Sequence, residues 1–183
     1  DLGAGASRAG RHLLWYPAPA PSYGCDCSTS VLEVGDEHGL SGGQRAKLPL
    51  GTIHATDRFD ADFGGVQFDL AIAQSVFSHL SLNNARLCLH RVAKVMKPGG
   101  RCFVTFFEAP EGTPIDKMLV KPRCFHERTP YWYTRSDIRW VARDEPWTMR
   151  YIRDWEPPAG QRVGEYPRLT RAASHRQRAP PPT

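Results

Sequence analysis

Apolar residues are concentrated in the middle of the chain, where they follow a strand pattern, then a helical one, then a strand pattern again. FDLAIA at 68–73 is an apolar run of strand length, typical of a strand buried on both faces. Over residues 82–96 the apolar positions recur at steps of three and four, which predicts an amphipathic helix. RCFVTFFEA at 101–109 predicts a second buried strand. A strand, a helix and a strand with short connections predict a parallel βαβ unit, and hence an α/β fold with a mostly parallel sheet and helices on both faces.

The ends of the central helix carry their own signals. Ser81 or Asn83 can cap its start, and Lys94 suits its C-terminal end. The Pro-Gly-Gly sequence at 98–100 then terminates it.

Weaker patterns flank this unit. Short strands are predicted in YGCDC at 23–27 and in GTIHA at 51–55. Between them Ser28 or Ser30 can cap a helix whose apolar face would hold Val31, Leu32 and Val34. Near the C-terminus TRSD at 134–137 is a capping-box pattern that opens a short helix. WTMRYIRDW and GQRVGEY predict the two strands of a C-terminal antiparallel hairpin.

Charge is unevenly distributed. Of the net charge of +5, most comes from residues 160–183, which hold five arginines and one glutamate and leave 19 of the 24 basic and 18 of the 19 acidic residues in 1–159. The Pro, Arg and Ala content of 167–183 predicts a disordered basic tail. Because no basic stripe follows a folded element, we expect no specific nucleic-acid partner. We also expect no membrane span, because no apolar run approaches the ~20 residues that a span needs.

Five cysteines are an odd number for a disulfide framework, so we expect a reducing, cytoplasmic location. Cys25 and Cys27 form a C-x-C pair without a second Cys/His pair at ligand spacing. We interpret them as two small buried residues and expect no metal.

The first residues, DLGAGASRAG, allow two interpretations: a flexible Gly/Ala arm, or a nucleotide-binding turn between a strand and a helix. The turn requires an acidic residue about 20 positions on, and Asp26 follows Gly5 by 21 residues. A dinucleotide fingerprint would also have glycine where Arg8 stands, which disfavours a nicotinamide oxidoreductase.

Together with the βαβ unit that follows, this glycine motif resembles the class I S-adenosylmethionine-dependent methyltransferases, and the resemblance covers residues 1–166. The family's order and spacing of strand, helix and K-P-G-G turn are most evident in FDLAIA…HL…RVAKVMKPGGRCFVTFF. The resemblance implies a Rossmann-like fold, S-adenosyl-L-methionine as cofactor and methyl transfer to a small-molecule acceptor. The family's usual third glycine is replaced by Ser7.

The resemblance also implies a cofactor site built from several segments. Asp1 would meet the cationic methionine part of the cofactor, and Asp26 would accept hydrogen bonds from its ribose hydroxyls, although an acid at a helix N-terminus or a turn residue is the alternative for Asp26. Asp57 would meet the adenine amino group, although a solvated loop is the alternative there. The remaining predicted contacts are Gly3, Ala4, Gly5, Cys27, Gln74, Ser75 and Val76.

His79 is the candidate general base, since it follows the predicted strand turn and an imidazole can take a proton from a hydroxyl or amine acceptor. The alternatives are a histidine that bonds neighbouring backbone, and methyl transfer that needs no base. The loop over 110–133, with His126, is long enough to act as a lid or substrate wall.

Only Asp1 and Leu2 precede the glycines, whereas a strand needs about five residues. We therefore expect a methyltransferase-like domain over 1–166 whose first strand is N-terminally incomplete. The functional alternatives are a truncated or degenerate methyltransferase fold without catalysis and, less favoured, a NAD-dependent oxidoreductase.

Overall fold

The computed structural model describes residues 1–5, 22–38, 41–45, 51–109, 131–154 and 161–170. In these ranges the strands are β1 Gly24–Asp26, β2 Ile53–Ala55, β3 Phe68–Ala73, β4 Met96–Glu108, β5 Trp132–Tyr133, β6 Arg150–Asp154 and β7 Arg162–Pro167. The helices are α1 Thr29–His38, α2 Gly42–Arg45, α3 Leu82–Val95 and α4 Arg135–Trp140, with a 3-10 turn at Phe77–His79.

The strands form two sheets that are connected by the first residues of the chain. β1 and β2 pair in parallel. The second sheet has the order β3-β4-β7-β6; β3 is parallel to β4, β7 is antiparallel to both neighbours, and β5 pairs with the end of β4. Leu2 bridges the two sheets, since it pairs in parallel with Cys25 and donates its backbone N–H to Ile72 O at 2.8 Å. The predicted α/β fold, with its C-terminal antiparallel hairpin, is confirmed.

The prediction that β3 is buried on both faces is wrong for most of the strand. Ala73 is fully buried, whereas Leu70 keeps 42% of its surface exposed and Asp69 is also exposed. Among the described residues, the strand neighbour opposite β4 is Leu2, which meets β3 only at Ile72. The side chains of a neighbouring strand help to bury a strand, and Leu2 reaches β3 only at its carboxyl end. Only that end of β3 is therefore enclosed.

Helix α3 confirms the central βαβ prediction. Ser81 is its N-cap and accepts from the backbone N–H of Asn84, and its buried stripe (Ala85, Cys88, Leu89, Val92 and Ala93) packs into the core. The helix ends at Val95, and β4 begins directly at Met96 rather than at Arg101. The 98–100 turn therefore belongs to the irregular start of β4, where the register with β3 shifts.

The C-terminal elements also follow the sequence prediction. Thr134 and Asp137 form the capping box of α4, each side chain bonding the backbone of the other. β6 and β7 form the predicted hairpin, in which Tyr151 lies opposite Gly164. β7 ends at Pro167 and Arg168 bridges Trp147, so the first residues assigned to the tail pack on the domain; 171–183 lie outside the described residues.

The predicted apolar face of α1 is wrong in part. Leu32 is buried, whereas Val31 and Val34 are exposed. The helix packs on β1 and β2, whose three residues each offer little surface to cover. None of the helices in the described ranges combines the length and apolarity that a bilayer crossing requires.

Candidate active site

Three predicted segments converge where the parallel strands end: residues 1–5, the end of β1 and the turn after β3. Ala4 donates its backbone N–H to Cys25 O at 3.0 Å, and Leu2 bonds Ile72 O, as described above. The segment therefore lies between β1 and β3 with its glycines at their carboxyl ends. In an open α/β sheet this edge is where ligands bind.

Gly3 is packed against the turn after β3 so closely that no side chain fits. Its φ is +63°, and a Cβ added there would lie 2.4 Å from Val76 Cγ2. Gly5 also has a positive φ, of +52°. Both glycines therefore permit a left-handed backbone that other residues rarely adopt.

Asp26, at the end of β1, ties this glycine turn to the start of α1. Its Oδ2 accepts from Gly5 N at 2.9 Å and its Oδ1 from Ser28 N at 3.0 Å. A carboxylate offers about four acceptor positions, so each oxygen retains capacity for a ligand hydroxyl. The contacts match a turn-organising acid and are compatible with a ribose ligand.

Asp1 carries an orphaned acceptor at the same edge. Its Oδ2 is buried and has no hydrogen-bond partner within the part of the chain that the structure describes. A buried, unpaired carboxylate oxygen is costly, by about 1–3 kcal/mol or more. The atom therefore fits a donor supplied by a ligand, such as the ammonium group of a bound amino acid moiety.

Cys27 and Asp57 follow the two short strands but are not enclosed. Cys27 lies beyond the end of β1 and is exposed, so the interpretation of the C-x-C pair as two buried residues holds for Cys25 and is wrong for Cys27. Partial burial and the neighbouring Asp26 carboxylate raise the pKa of the Cys27 thiol. Asp57 is 83% exposed and pairs with Arg58 at 3.8 Å; the backbone at Thr56 bonds Asp26 O, which keeps Asp57 near the end of β1.

Ser75, predicted from the sequence only as a cofactor contact, is the centre of a polar network. It has a left-handed φ of 58°, unusual for a residue with a side chain. Its backbone N–H donates to Thr105 Oγ1 at 2.7 Å, and its hydroxyl donates to Gln161 Oε1 at 3.3 Å. Ser78 Oγ in turn donates to Ser75 O at 2.9 Å.

Thr105 and Gln161 are the site residues that sequence reasoning missed. Both are buried polar residues, on β4 and directly before β7 respectively. Thr105 could have been found as the single hydroxyl within the apolar run CFVTFF. Gln161 has no comparable signal, because its partner lies 86 residues away in the chain.

Gln74 and His79 flank the same turn. Gln74 is half-buried beside Ser75. His79 ends the 3-10 turn, and its backbone N–H donates to Val76 O at 2.9 Å while its side chain is exposed. The imidazole is accessible to an acceptor at this edge.

Glu108 lies at the end of β4 and holds two arginines. Its carboxylate accepts from Arg135 Nε at 2.5 Å and from Arg162 Nε at 2.8 Å. Burial pushes the pKa of Glu108 upward, but the hydrogen bonds from the two guanidinium groups outweigh it, and the net pKa lies below the ordinary value. Both arginines are neutralised by this carboxylate and by Asp154, which pairs with Arg162.

A cavity of about 880 Å³ lies at the opposite edge of the sheet, lined by residues of α4, the following turn and Leu169. Leu169 donates to Pro146 O, and the preceding Arg168 donates to Gly100 O near the start of β4. None of the predicted site residues lines it. The presence of a cavity therefore does not identify the site in this fold, and the carboxyl edge is favoured on geometry.

Several predicted features lie outside the described residues: Ser7, Arg8, His126 and most of the 110–133 loop. Within the described ranges, no group of three or more His, Cys, Asp or Glu side chains is arranged to hold a metal ion.

Comparison with known proteins gives a family match and fold neighbours. The family model described as "Methyltransferase domain" matches residues 1–102. Among solved structures, the methyltransferase domain of a bacterial Hen1 is 19% identical with a TM-score of 0.64, over 91% of this chain and 88% of that one. A magnesium protoporphyrin IX methyltransferase from Synechocystis PCC 6803 with bound SAM is 19% identical with a TM-score of 0.63, over 92% and 68%. A SAM-dependent methyltransferase from Methanosarcina mazei is 15% identical with a TM-score of 0.66, over 93% and 91%. At these identities the similarity shows the fold.

Proposed function

The chain belongs to the methyltransferase-domain family, and from that membership we propose that it transfers a methyl group from S-adenosyl-L-methionine to a small-molecule acceptor. The observation that supports the proposal most is the contact between Gly3 and Val76, because it packs a glycine position with no room for a side chain against the turn that follows β3. A fold neighbour that holds SAM supports the choice of cofactor.

The proposed cofactor site extends across the ends of β1, β2 and β3. Asp1 would accept a hydrogen bond from the ammonium group of the methionine part, because its Oδ2 is a buried acceptor without a partner in the described residues. Asp26 and the adjacent Cys27 would border the ribose, and Asp57 the adenine. Gly3, Ala4 and Gly5 would contribute backbone, and Gln74, Ser75 and Val76 would line the opposite side of the ligand.

When bound, S-adenosylmethionine supplies an electrophilic methyl group: the acceptor's lone pair bonds to the methyl carbon while the carbon–sulfur bond breaks and its electrons remain on sulfur. The chain's contribution is alignment, which can supply a large part of the rate enhancement when two reactants are held in line. The Ser75–Thr105–Gln161 network fixes the turn that would face both reactants. His79 is accessible to receive the acceptor's proton, and water can receive it otherwise.

Isothermal titration calorimetry with S-adenosylmethionine, S-adenosylhomocysteine and NAD tests the proposal. We expect both sulfur ligands to bind with 1:1 stoichiometry and NAD not to bind. Binding of NAD in preference to the sulfur ligands would contradict the proposal and favour an oxidoreductase. Binding of S-adenosylhomocysteine without methyl transfer to any acceptor in a broad panel would favour a binding protein that lacks catalysis.

A further inference from the structure

The strand β5 places aromatic side chains beside the proposed methyl-transfer site. It lies along the end of β4, with Trp132 opposite Phe107 and Tyr133 opposite Glu108. Tyr131 N donates to Ser78 O at 2.7 Å, and the Tyr133 hydroxyl donates to Leu80 O. These bonds hold β5 against the 3-10 turn on either side of His79.

Trp132 is stacked on Phe107 and still exposed. The two rings are 5.1 Å apart between centroids and 26° from parallel, and Trp132 keeps 36% of its surface exposed. Phe107 therefore supports one side of the indole and fixes its orientation. A rigid, accessible indole offers a large apolar surface at little conformational cost.

The aromatic pair shares a face of the sheet with the polar network at Ser75. Side chains alternate along a strand, so Thr105 and Phe107 lie on the same face about 7 Å apart. The register of β4 and β7, in which Phe106 lies opposite Arg162, places Gln161 beside Phe107. The aromatic pair and the hydroxyl and amide groups thus border one space at the carboxyl edge.

Charges around this space do not favour an anionic ligand. The arginines at the end of β4, Arg135 and Arg162, are both bound by Glu108. Arg135 also lies over the ring of Tyr151, at 4.3 Å from the centroid. Both arginines are therefore paired, and the described side chains that border this space, namely Trp132, Phe107, Ser75, Thr105 and Gln161, are aromatic or neutral and polar.

We propose that Trp132, supported by Phe107, is the stacking wall of the acceptor site, and that the acceptor is a neutral, planar aromatic molecule with a hydroxyl or amine. This inference rests on the proposed function, because only methyl transfer would make the bound molecule an acceptor. Binding at the aromatic site itself can be tested without the cofactor. Stacking on one indole contributes about 0.5–1.5 kcal/mol, or roughly 2- to 12-fold in affinity.

The test measures binding of 2-naphthol and of its saturated counterpart decahydro-2-naphthol by ligand-observed NMR, with and without S-adenosylhomocysteine. We expect the aromatic probe to bind and the saturated one to bind several-fold more weakly. Trp132→Ala should weaken 2-naphthol binding roughly 2- to 12-fold, and Trp132→Phe should recover most of the loss. Trp140→Ala, which removes a comparably exposed tryptophan at the other edge of the sheet, should have no effect.

Equal binding of the two probes, absence of 2-naphthol binding, or equal effects of Trp132→Ala and Trp140→Ala would each overturn the inference. The Phe variant keeps an aromatic ring, so its recovery distinguishes stacking from a general loss of folding. Failure of S-adenosylhomocysteine to bind, with Trp132-dependent binding of 2-naphthol retained, would contradict the proposed function and leave the aromatic site standing. The reverse result would remove the aromatic site and leave the proposed function intact.

Discussion

The main sheet has a carboxyl edge, where its parallel strands end, and an amino edge, where they begin, and the two differ in the residues around them. At the carboxyl edge, Gly3, Gly5 and Ser75 hold left-handed backbone, and Asp1 has a buried carboxylate oxygen without a partner among the described residues. At the amino edge, the cavity of about 880 Å³ is bordered by Asp144 and Glu145, which are paired with Arg86 and His90.

The difference indicates where the structure is organised for a ligand. The left-handed backbone of Ser75 and the unpaired, buried carboxylate oxygen of Asp1 cost free energy in the absence of a ligand, so their occurrence at one edge suggests a function. At the amino edge the left-handed residues are Gly64, Gly65 and Gly99, which adopt this conformation at little cost, and the mostly exposed Asp144. The buried Arg168 Nε also has no partner among the described residues there, but the same guanidinium donates to Met96 O. The carboxyl edge is therefore the better candidate, although a cavity of about 880 Å³ lies at the amino edge.

The largest expected effect is that of Gly3→Ala at the carboxyl edge. The new Cβ would overlap Val76 Cγ2 at 2.4 Å, and the left-handed conformation adds about 1–2 kcal/mol of strain. We expect S-adenosylhomocysteine affinity, measured by calorimetry, to fall on the order of 100-fold. The double variant Gly3→Ala/Val76→Ala relieves the overlap and should recover part of the loss.

Gly43→Ala is the matched control for Gly3→Ala. Gly43 lies in α2 with nothing within 4 Å of an added Cβ, so the substitution should leave binding unchanged. If the Gly3→Ala variant bound S-adenosylhomocysteine as tightly as the wild type, the glycine turn would not be part of the ligand site.

Asp26→Asn should have the next largest effect on binding. The substitution removes the charge and one of the acceptors that hold Gly5 N and Ser28 N, and it weakens the hydrogen bonds proposed for the ribose. We expect a loss of about 1.5–3 kcal/mol in the binding free energy of S-adenosylhomocysteine. Glu33→Gln, which removes an exposed charge on α1, serves as the control. Unchanged affinity in a folded Asp26→Asn protein would assign Asp26 a purely structural role.

The ion pairs at the two edges should differ in how much they contribute to the free energy of unfolding and in how that contribution depends on pH. Glu108 is mostly buried and bonds two arginines, whereas Asp144 is 75% exposed and pairs at 3.4 Å. In urea unfolding at pH 7, Glu108→Gln should lower the free energy of unfolding by about 1–3 kcal/mol, and Asp144→Asn by less than about 1 kcal/mol.

The pH profile checks the cause of the Glu108 effect. Because the pKa of Glu108 is lower in the folded protein, its contribution is fully present above the ordinary pKa near 4.5. The contribution is lost as pH falls through the folded pKa, so the wild type and Glu108→Gln should converge in stability below that range. A stability difference that stays constant at low pH would contradict an electrostatic cause.

The smallest expected effect belongs to the amino-edge cavity. Arg143→Gln changes its lining without touching the carboxyl edge, so S-adenosylhomocysteine affinity should remain within about twofold. A large loss of affinity would mean that the two edges are coupled or that the ligand lies in the cavity.

The sequence by itself determined the elements with strong local signals. The periodicity of 82–96 predicted α3, with Ser81 or Asn83 as its cap, and the structure shows Ser81 in that role. The pattern at Thr134 and Asp137 predicted the capping box of α4, because capping and amphipathic patterns depend on residues a few positions apart. The distance from Gly5 to Asp26 likewise indicated an acidic residue at the end of a second strand, whereas the hydrogen bond from Gly5 N to Asp26 was not predicted from the sequence. The resemblance and the rule for open sheets also predicted that 74–76 lie beside the cofactor, and in the structure Val76 packs against Gly3.

Only the tertiary structure decided which of these residues are enclosed and which distant residues join them. The burial of β3 could not be inferred from its composition, because it depends on how far Leu2 covers the strand. Thr105, Gln161 and Trp132 come to the candidate site through pairings across β4, β5 and β7, and residues so far apart in the chain produce no periodic pattern in the sequence. Local sequence patterns reflect hydrogen bonds and packing within one helix or strand, whereas strand order and register determine a site that several elements form together.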